Sequence, residues 1–178
     1  MTSIWLVFWL ALFQASYNAG ILHGEWIDLD GSEDIWRRVK DILKSSSIED
    51  AEEYAIHDHE FCGNLSEYAG VSELVNIKDA FECTSNEHIE WVLFCEFCDH
   101  IGYDINSDKL ETFSDSYSGS ASSLVDWCHS YLEDSGLLDS IPANLRFYFD
   151  YKAFARDMEI NDVFTIEQGG GTHVFFNV

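Results

Sequence analysis

Acidic residues outnumber basic residues along the whole chain, and this excess constrains the fold more than any other feature. The 178 residues contain 33 Asp and Glu against nine Lys and Arg, a net charge of −24. Residues 1–68 hold 13 acids and four bases, residues 69–113 hold 10 and two, and residues 114–178 hold 10 and three. Such charge repels itself in a compact state and costs folding free energy, and the reasons open to it are solubility, cation binding or imitation of another polyanion.

The apolar content shows that this is a folded protein with an acidic surface. Hydrophobic residues make up 47% of the chain and aromatic residues 15%, which is too much apolar area for a disordered acidic tail. The negative sign disfavours direct binding to nucleic acid or to anionic membrane and favours basic protein partners. A charge of −24 equals the phosphate charge of about 12 base pairs, and a dimer that of about 24. Composition alone leaves two readings open, imitation of a polyanion and a merely soluble acidic surface.

The apolar run from Ile4 to Phe13 has the length of a signal-peptide core. No Lys or Arg precedes Arg37, small residues are missing at the cleavage position, and ten residues are too few to span a bilayer. We expect a buried first strand in a cytoplasmic protein, with a secreted acidic interaction protein as an alternative. Five cysteines, an odd number, agree with reduced thiols in the cytosol.

Residues 1–68 are predicted to form a small sheet that carries one helix. Two strands within 4–28 are joined at Tyr17–Gly20, where Asn and Gly favour a tight connection. Ser32 is a predicted N-cap of a helix that ends near Ser45, and 54–56 is a third strand.

Residues 69–109 are predicted to be helical. Asn64 with Glu67 resembles a capping box, and helices are expected over 72–83 and 86–101, with Gly102 closing the second.

Residues 110–178 combine strands and helices in the prediction. We expect a strand from Phe113 to Tyr117, a helix over 123–134 that Gly136 stops, and a short helix at Pro142. A hairpin pairs 163–166 with 173–176 across three glycines. The fold class is therefore α+β, with an N-terminal α+β domain 1–68, a helical domain 69–109 and a C-terminal α+β domain 110–178.

Few residues suggest catalysis or metal binding. Cys95 and Cys98 form a C-x-x-C pair, but the pair lies inside a predicted helix and no second pair completes a zinc site, so structural thiols are favoured. His57 and His59 would share one face of a strand, as ordinary alternation requires. No nucleophile, phosphate-binding or calcium motif is complete. We predict no enzyme activity, cofactor or metal, and an acidic metal- or thiol-dependent enzyme remains the alternative.

Three stretches of the chain form a recognisable set, namely YNAG at 17–20 with LHGEWID at 22–28, EEYAIHD at 52–58 with Glu60, and GLLDSIP at 136–142 with YFDYKAFARD at 148–157. Read together, they resemble the ArdA antirestriction proteins of plasmids and conjugative transposons. The apolar start of the chain is longer than is usual in the family. Residues 76–108 match only in helical character and acidity, so the cysteine pair inherits no family role.

The resemblance implies a mimic of B-DNA that occupies the DNA-binding groove of type I restriction-modification enzymes and protects incoming mobile DNA during conjugation. Members are elongated, three-domain and dimeric. Exposed charge pairs are worth about 0–1 kcal/mol each, so the mimic should work through many carboxylates together. Our candidates for the mimic surface are Asp28, Asp30, Glu52, Glu53, Asp58, Glu60, Asp115, Asp134, Asp139, Asp150, Asp157 and Glu159. Asp150 or Asp157 is alternatively paired internally with Arg156 or Lys152. An exposed strand edge with Leu110, Phe113 and Tyr117 is the expected interface of the homodimer.

Overall fold

The chain contains both helices and strands in a computed structural model that describes residues 7–12, 24–28, 32–45, 54–60, 63–87 and 89–178. The chain divides into two compact units, Met1–Leu110 and Glu111–Val178. Both units mix helices with a three-stranded sheet, which confirms the predicted α+β class. A further division of the first unit near residue 68 stays a prediction.

The sheet of the first unit contains β1 (Val7–Leu12), β2 (Gly24–Asp28) and β3 (Tyr54–Glu60) in the order β2-β1-β3, with both pairings antiparallel. The two strands predicted within 4–28 are confirmed, and their predicted connection at 17–20 lies outside the described residues. The third strand begins at the predicted residue and is longer. A bulge interrupts its register, because Trp9 pairs with Asp58 while Leu10 pairs with Ile56. His57 is the extra residue, so the strict alternation expected for the two histidines is broken there.

Helix α1 (Ser32–Ser45) confirms the first predicted helix. Its residues Ile35, Val39 and Ile42 are buried at the 3.6-residue spacing that defines one face of a helix. The helix contacts β1 and β2, and Ile27 of β2 is also fully buried. The predicted capping side chain of Ser32 is outside the described part of the structure.

Two further helices, α2 (Val71–Glu87) and α3 (Trp91–Ile101), and a 3-10 turn (Ser107–Lys109) complete the first unit. Helix α3 begins five residues later than predicted. Gly102 has a φ of 77°, and the backbone N–H of Tyr103 bonds to the carbonyl of Cys98, which confirms the predicted C-terminal glycine cap.

The capping box predicted at Asn64 and Glu67 is wrong, because no helix starts there. Residues 63–70 form turns, and Asn64 instead donates a hydrogen bond from Nδ2 to Oδ1 of Asp99 at 3.0 Å. The amide is used to hold this segment against α3, which local sequence spacing does not reveal.

The second unit contains a sheet with β4 at one edge, in the order β4-β6-β5, and all its pairings are antiparallel. Its elements, with the helix that leads into it, are α4 (Leu110–Ser116), β4 (Tyr117–Ala121), α5 (Leu124–Asp134), a 3-10 turn (Leu137–Ser140), α6 (Ala143–Arg146), α7 (Tyr151–Asn161), β5 (Val163–Gln168) and β6 (Gly171–Phe176). The helix predicted over 123–134 is confirmed, with Ser123 as its N-cap residue, and so is the short helix after Pro142.

The strand predicted from Phe113 to Tyr117 is wrong for residues 113–116, which lie in the helix α4. Leu110 and Phe113, three residues apart, lie on one face of this helix, and Tyr117 begins β4. The rings of Phe113 and Tyr117 stack 5.9 Å apart, and Phe113 also packs on Phe175 at 5.3 Å. These contacts outweigh the strand preference of Thr, Phe and Tyr.

The closing hairpin is confirmed, with Ile166 opposite His173. Gly169 and Gly170 have φ values of 61° and 83°, which only glycine adopts readily. The sheet and the helices α5 and α7 enclose a core whose buried members are Trp127, Cys128, Ala155, Met158, Val163 and Val174.

Candidate acidic interaction surface

The carboxylates of the described chain face solvent. Every Asp and Glu whose burial is described is exposed, except Glu73, which is half-buried. Burial raises the pKa of Glu73, and the nearby negative charge of Asp104 adds to that rise. An isolated charge is costly to bury, so an acidic chain of this kind keeps its carboxylates outside the core.

Two predicted residues of the first unit share one row of the sheet. Asp28 of β2 and Glu60 of β3 are both paired with Val7, so two strand spacings, about 10 Å, separate their backbones. Asp58 is exposed on β3 and accepts a hydrogen bond at Oδ1 from the backbone N–H of His59 at 2.9 Å. The side chain of Asp28 and the whole of Asp30, Glu52 and Glu53 lie outside the described residues.

The predicted acids of the second unit have different local roles. Asp150 caps α7, because its Oδ1 accepts a hydrogen bond from the N–H of Ala153 at 3.0 Å. Asp139 Oδ1 lies 3.2 Å from Nη2 of Arg146. The alternative of internal pairing is confirmed for Asp157, whose Oδ1 lies 3.7 Å from Nε of Arg156. All of these acids are exposed, as are Asp115, Asp134 and Glu159.

Other exposed acids were not among the candidates. On α5, Asp126 accepts hydrogen bonds from the hydroxyls of Ser122 and Ser123, which lower its pKa in that order of size. Residues 69–109 add further exposed acids, which the acidic excess of this segment signalled although no motif did. They are Asp79, Glu82, Glu90, Glu96, Asp99, Asp104 and Asp108.

The residues predicted for the dimer interface are mostly internal. Leu110 and Phe113 are only 5% and 4% exposed, and Tyr117 is half-buried with its hydroxyl 3.1 Å from Nδ1 of His173. Leu110 and Phe113 lie in α4, whereas Tyr117 is the first residue of β4, one of the two outer strands of its sheet. The homodimer itself stays a prediction.

The cysteine pair is buried, as predicted for structural thiols. Cys95 and Cys98 are free and lie on the buried side of α3. Burial raises the pKa of the Cys98 thiol to about 12, an effect that the charge of Lys109 partly offsets. Among the residues that the structure describes, no group of three or more His, Cys, Asp and Glu is placed to hold a metal ion. No helix in this part of the chain combines the length and apolar character that crossing a membrane requires.

The fold and its exposed carboxylates define an acidic α+β protein that presents its charge on the surface of both units. The family model of the antirestriction protein ArdA matches residues 13–171. The chain therefore belongs to the ArdA antirestriction protein family, and the resemblance seen in the sequence is confirmed. A comparison with curated proteins finds no match.

Proposed function

We propose that this protein occupies the DNA-binding groove of type I restriction-modification enzymes as a mimic of B-DNA, and so protects incoming mobile DNA. Membership of the antirestriction family supports the biological role. The observation that carries the mimicry is the exposure of every described carboxylate except Glu73, in both units of the chain.

Counterion release supplies the driving force in this proposal. A DNA-binding groove places Lys and Arg against phosphates, and DNA gains affinity when those contacts release condensed cations. Carboxylates held at high density on a folded surface compete for the same basic groups. A charge of −24 per chain is equivalent to about 12 base pairs, and a homodimer to about 24.

The helix α5 illustrates how dense the local charge is. It exposes Asp126, Glu133 and Asp134, and its sequence contains no Lys or Arg. The acids of α7 are less suited to this role, because Lys152 and Arg156 are exposed on the same helix. We therefore infer that α5 contributes more to the negative surface than α7 does.

Broad inhibition is the expected consequence. Phosphate contacts position a protein on DNA but carry no direct sequence information. A mimic of the phosphate lattice should therefore block enzymes that have different target sequences. We further infer that the protein acts in the cytoplasm as a homodimer of three-domain chains, divided near residues 68 and 109, without a cofactor.

The test is a displacement titration. A purified type I methyltransferase holds a fluorescent duplex that carries its target site, and unlabelled protein is added at about 50 and about 200 mM salt. We expect one protein dimer to displace one duplex, with affinity that falls steeply as salt rises. Polyglutamate at equal total charge is the control, since it supplies carboxylates without a folded lattice. Displacement no better than that by polyglutamate, or no displacement, would overturn the proposal.

A further inference from the structure

The first unit contains a cavity of about 440 Å³ between the start of α3 and the segment that precedes α2. This volume falls in the range of about 300–1,000 Å³ that is typical of binding pockets. The residues that matter to its chemistry are Gly63, Asn64, Trp91, Cys95, Glu96 and Asp99.

Helix α3 provides one wall of the cavity. Trp91, Cys95 and Asp99 follow one another at intervals of four residues, so they lie along one face of the helix. Trp91 is only 3% exposed, and its ring is fixed by an edge contact with Phe81 at 5.3 Å. The aromatic part of the wall is therefore rigid.

The opposite wall is tied to the helix. Asn64 bonds to Asp99 at 3.0 Å, and Gly63 has a φ of +65°. A Cβ at position 63 would lie 2.3 Å from Cδ1 of Ile105 and 3.4 Å from Cβ of Cys95, so glycine permits this close approach. The cavity is consequently formed before any partner binds, which lowers the entropic cost of binding.

The lining is apolar with carboxylates at the exposed side. Trp91 and Cys95 are buried, whereas Glu96 and Asp99 are exposed. Glu96 makes no hydrogen bond or ion pair with another described residue, and no described Lys or Arg lines the cavity. This arrangement is complementary to a side chain with an apolar stem and a positive head.

We propose that this cavity receives an arginine side chain from the DNA-binding surface of the partner enzyme, an inference that rests on the proposed function. Arginine suits the cavity better than lysine, because a guanidinium is weakly hydrated and bonds carboxylates through two N–H groups. The cavity thus adds one specific anchor to an otherwise distributed charge surface.

The binding test uses N-acetyl-arginine amide followed by two-dimensional NMR of the protein. We expect the indole N–H signal of Trp91 and the amide signals of Glu96 and Asp99 to shift, and the same amide of lysine to shift them less. The shifts should vanish in E96Q/D99N, in which the amide oxygen introduced at position 99 can still accept the hydrogen bond from Asn64. They should persist in D79N/D108N, which removes the same charge from exposed acids outside the cavity. No shift, or equal shifts with lysine, would overturn the inference.

The displacement titration then separates this inference from the proposed function. We expect E96Q/D99N to need about tenfold more protein than D79N/D108N to displace the duplex, since charge-assisted bonds in a partly desolvated site are strong. Equal losses in the two variants would contradict the arginine anchor and leave the proposed function intact. If the unmodified protein displaces no DNA, the proposed function is wrong. The NMR titration alone then tests whether the cavity binds an arginine side chain.

Discussion

Ser123 and Asp126 cap the N-terminus of α5 through two hydrogen bonds to each other. The Ser123 hydroxyl oxygen accepts a hydrogen bond from the backbone N–H of Asp126 at 3.1 Å and donates one to its Oδ2 at 2.7 Å. We expect S123A to lower the free energy of unfolding by about 1 kcal/mol, the usual loss for an N-cap. Urea unfolding followed by circular dichroism measures it. S130A, which alters an exposed serine inside the same helix, should change much less, and equal effects would refute the capping role.

The same cap makes the titration of Asp126 predictable. Bonds from Ser122 and Ser123 stabilise its charged form and lower its pKa. A lowered folded-state pKa means that this stabilisation is present above the unfolded value and is lost as pH falls through the folded value. NMR titration of the carboxyl carbon should show a pKa below the ordinary value of Asp. In S122A/S123A the pKa should return toward that value, and an unchanged pKa would show that the hydroxyls are not responsible.

Gly63 is predicted to be the least replaceable of the described glycines in the first unit. G63A would combine a positive φ with a contact of 2.3 Å to the Ile105 side chain. We expect a loss of about 1–3 kcal/mol in the free energy of unfolding. Gly70 is the matched control, because a Cβ there meets nothing within 4 Å and its φ is not in the positive region. G70A should leave the stability within about 1 kcal/mol of the original. Equal losses in both variants would contradict the proposed packing.

The cysteines should differ sharply in reactivity. The pKa of the buried Cys98 thiol is raised to about 12 and that of Cys128 to about 11, in both cases mainly by burial. Cys83 is half-buried. At about pH 8 we expect iodoacetamide to modify Cys83 well before Cys98 or Cys128, as peptide mass spectrometry would show. A raised folded-state pKa also means stability lost as pH rises from about 9 toward 12. Early alkylation of Cys98 would support the thiol-enzyme alternative.

The sequence predicts those elements whose signals are local. Gly102 and Gly136, which each follow a helical pattern, and the glycines of the closing hairpin each act within a few residues of their own position. The helices and strands that they bound are confirmed.

The elements that the sequence does not predict depend on distant contacts. Leu110–Ser116 is helical because Phe113 packs on Phe175, which lies far away in sequence. Asn64 donates a hydrogen bond to Asp99 and does not cap a helix. Helix α7 is also absent from the predicted elements, and only Ala155 and Met158 of its eleven residues are buried. The contacts of Phe113 with Phe175 and of Asn64 with Asp99 leave no pattern in the neighbouring sequence.

The candidate surface was predictable in kind but not in detail. Exposure of the acids follows from the cost of burying charge, so it holds almost without exception. Ion pairs do not follow from composition, and the contact of Asp139 with Arg146 depends on the turn that brings them together. The cavity beside Trp91 also required the structure, since its walls come from separate segments.

Distributed mimicry predicts a particular response to the loss of charge. Five exposed candidate acids neither cap a helix nor pair with Arg146 or Arg156, namely Asp58, Glu60, Asp115, Asp134 and Glu159. Each single change to Asn or Gln should weaken displacement of DNA by less than about fivefold, because exposed pairs contribute about 0–1 kcal/mol. The five together should reduce the slope of log affinity against log salt by up to about 4.5 for each chain in the contact, at about 0.9 per carboxylate.

The opposite change provides the control for this experiment. K152Q removes an exposed cation from α7 and makes the chain more negative, so it should tighten binding slightly and steepen the salt dependence. If any change to the surface weakened binding regardless of charge, K152Q would weaken binding as the acid-neutralising variants do. If one acid among the five accounts for the whole loss, or if the salt slope does not move, binding depends on a local contact, and the proposed lattice of carboxylates is wrong.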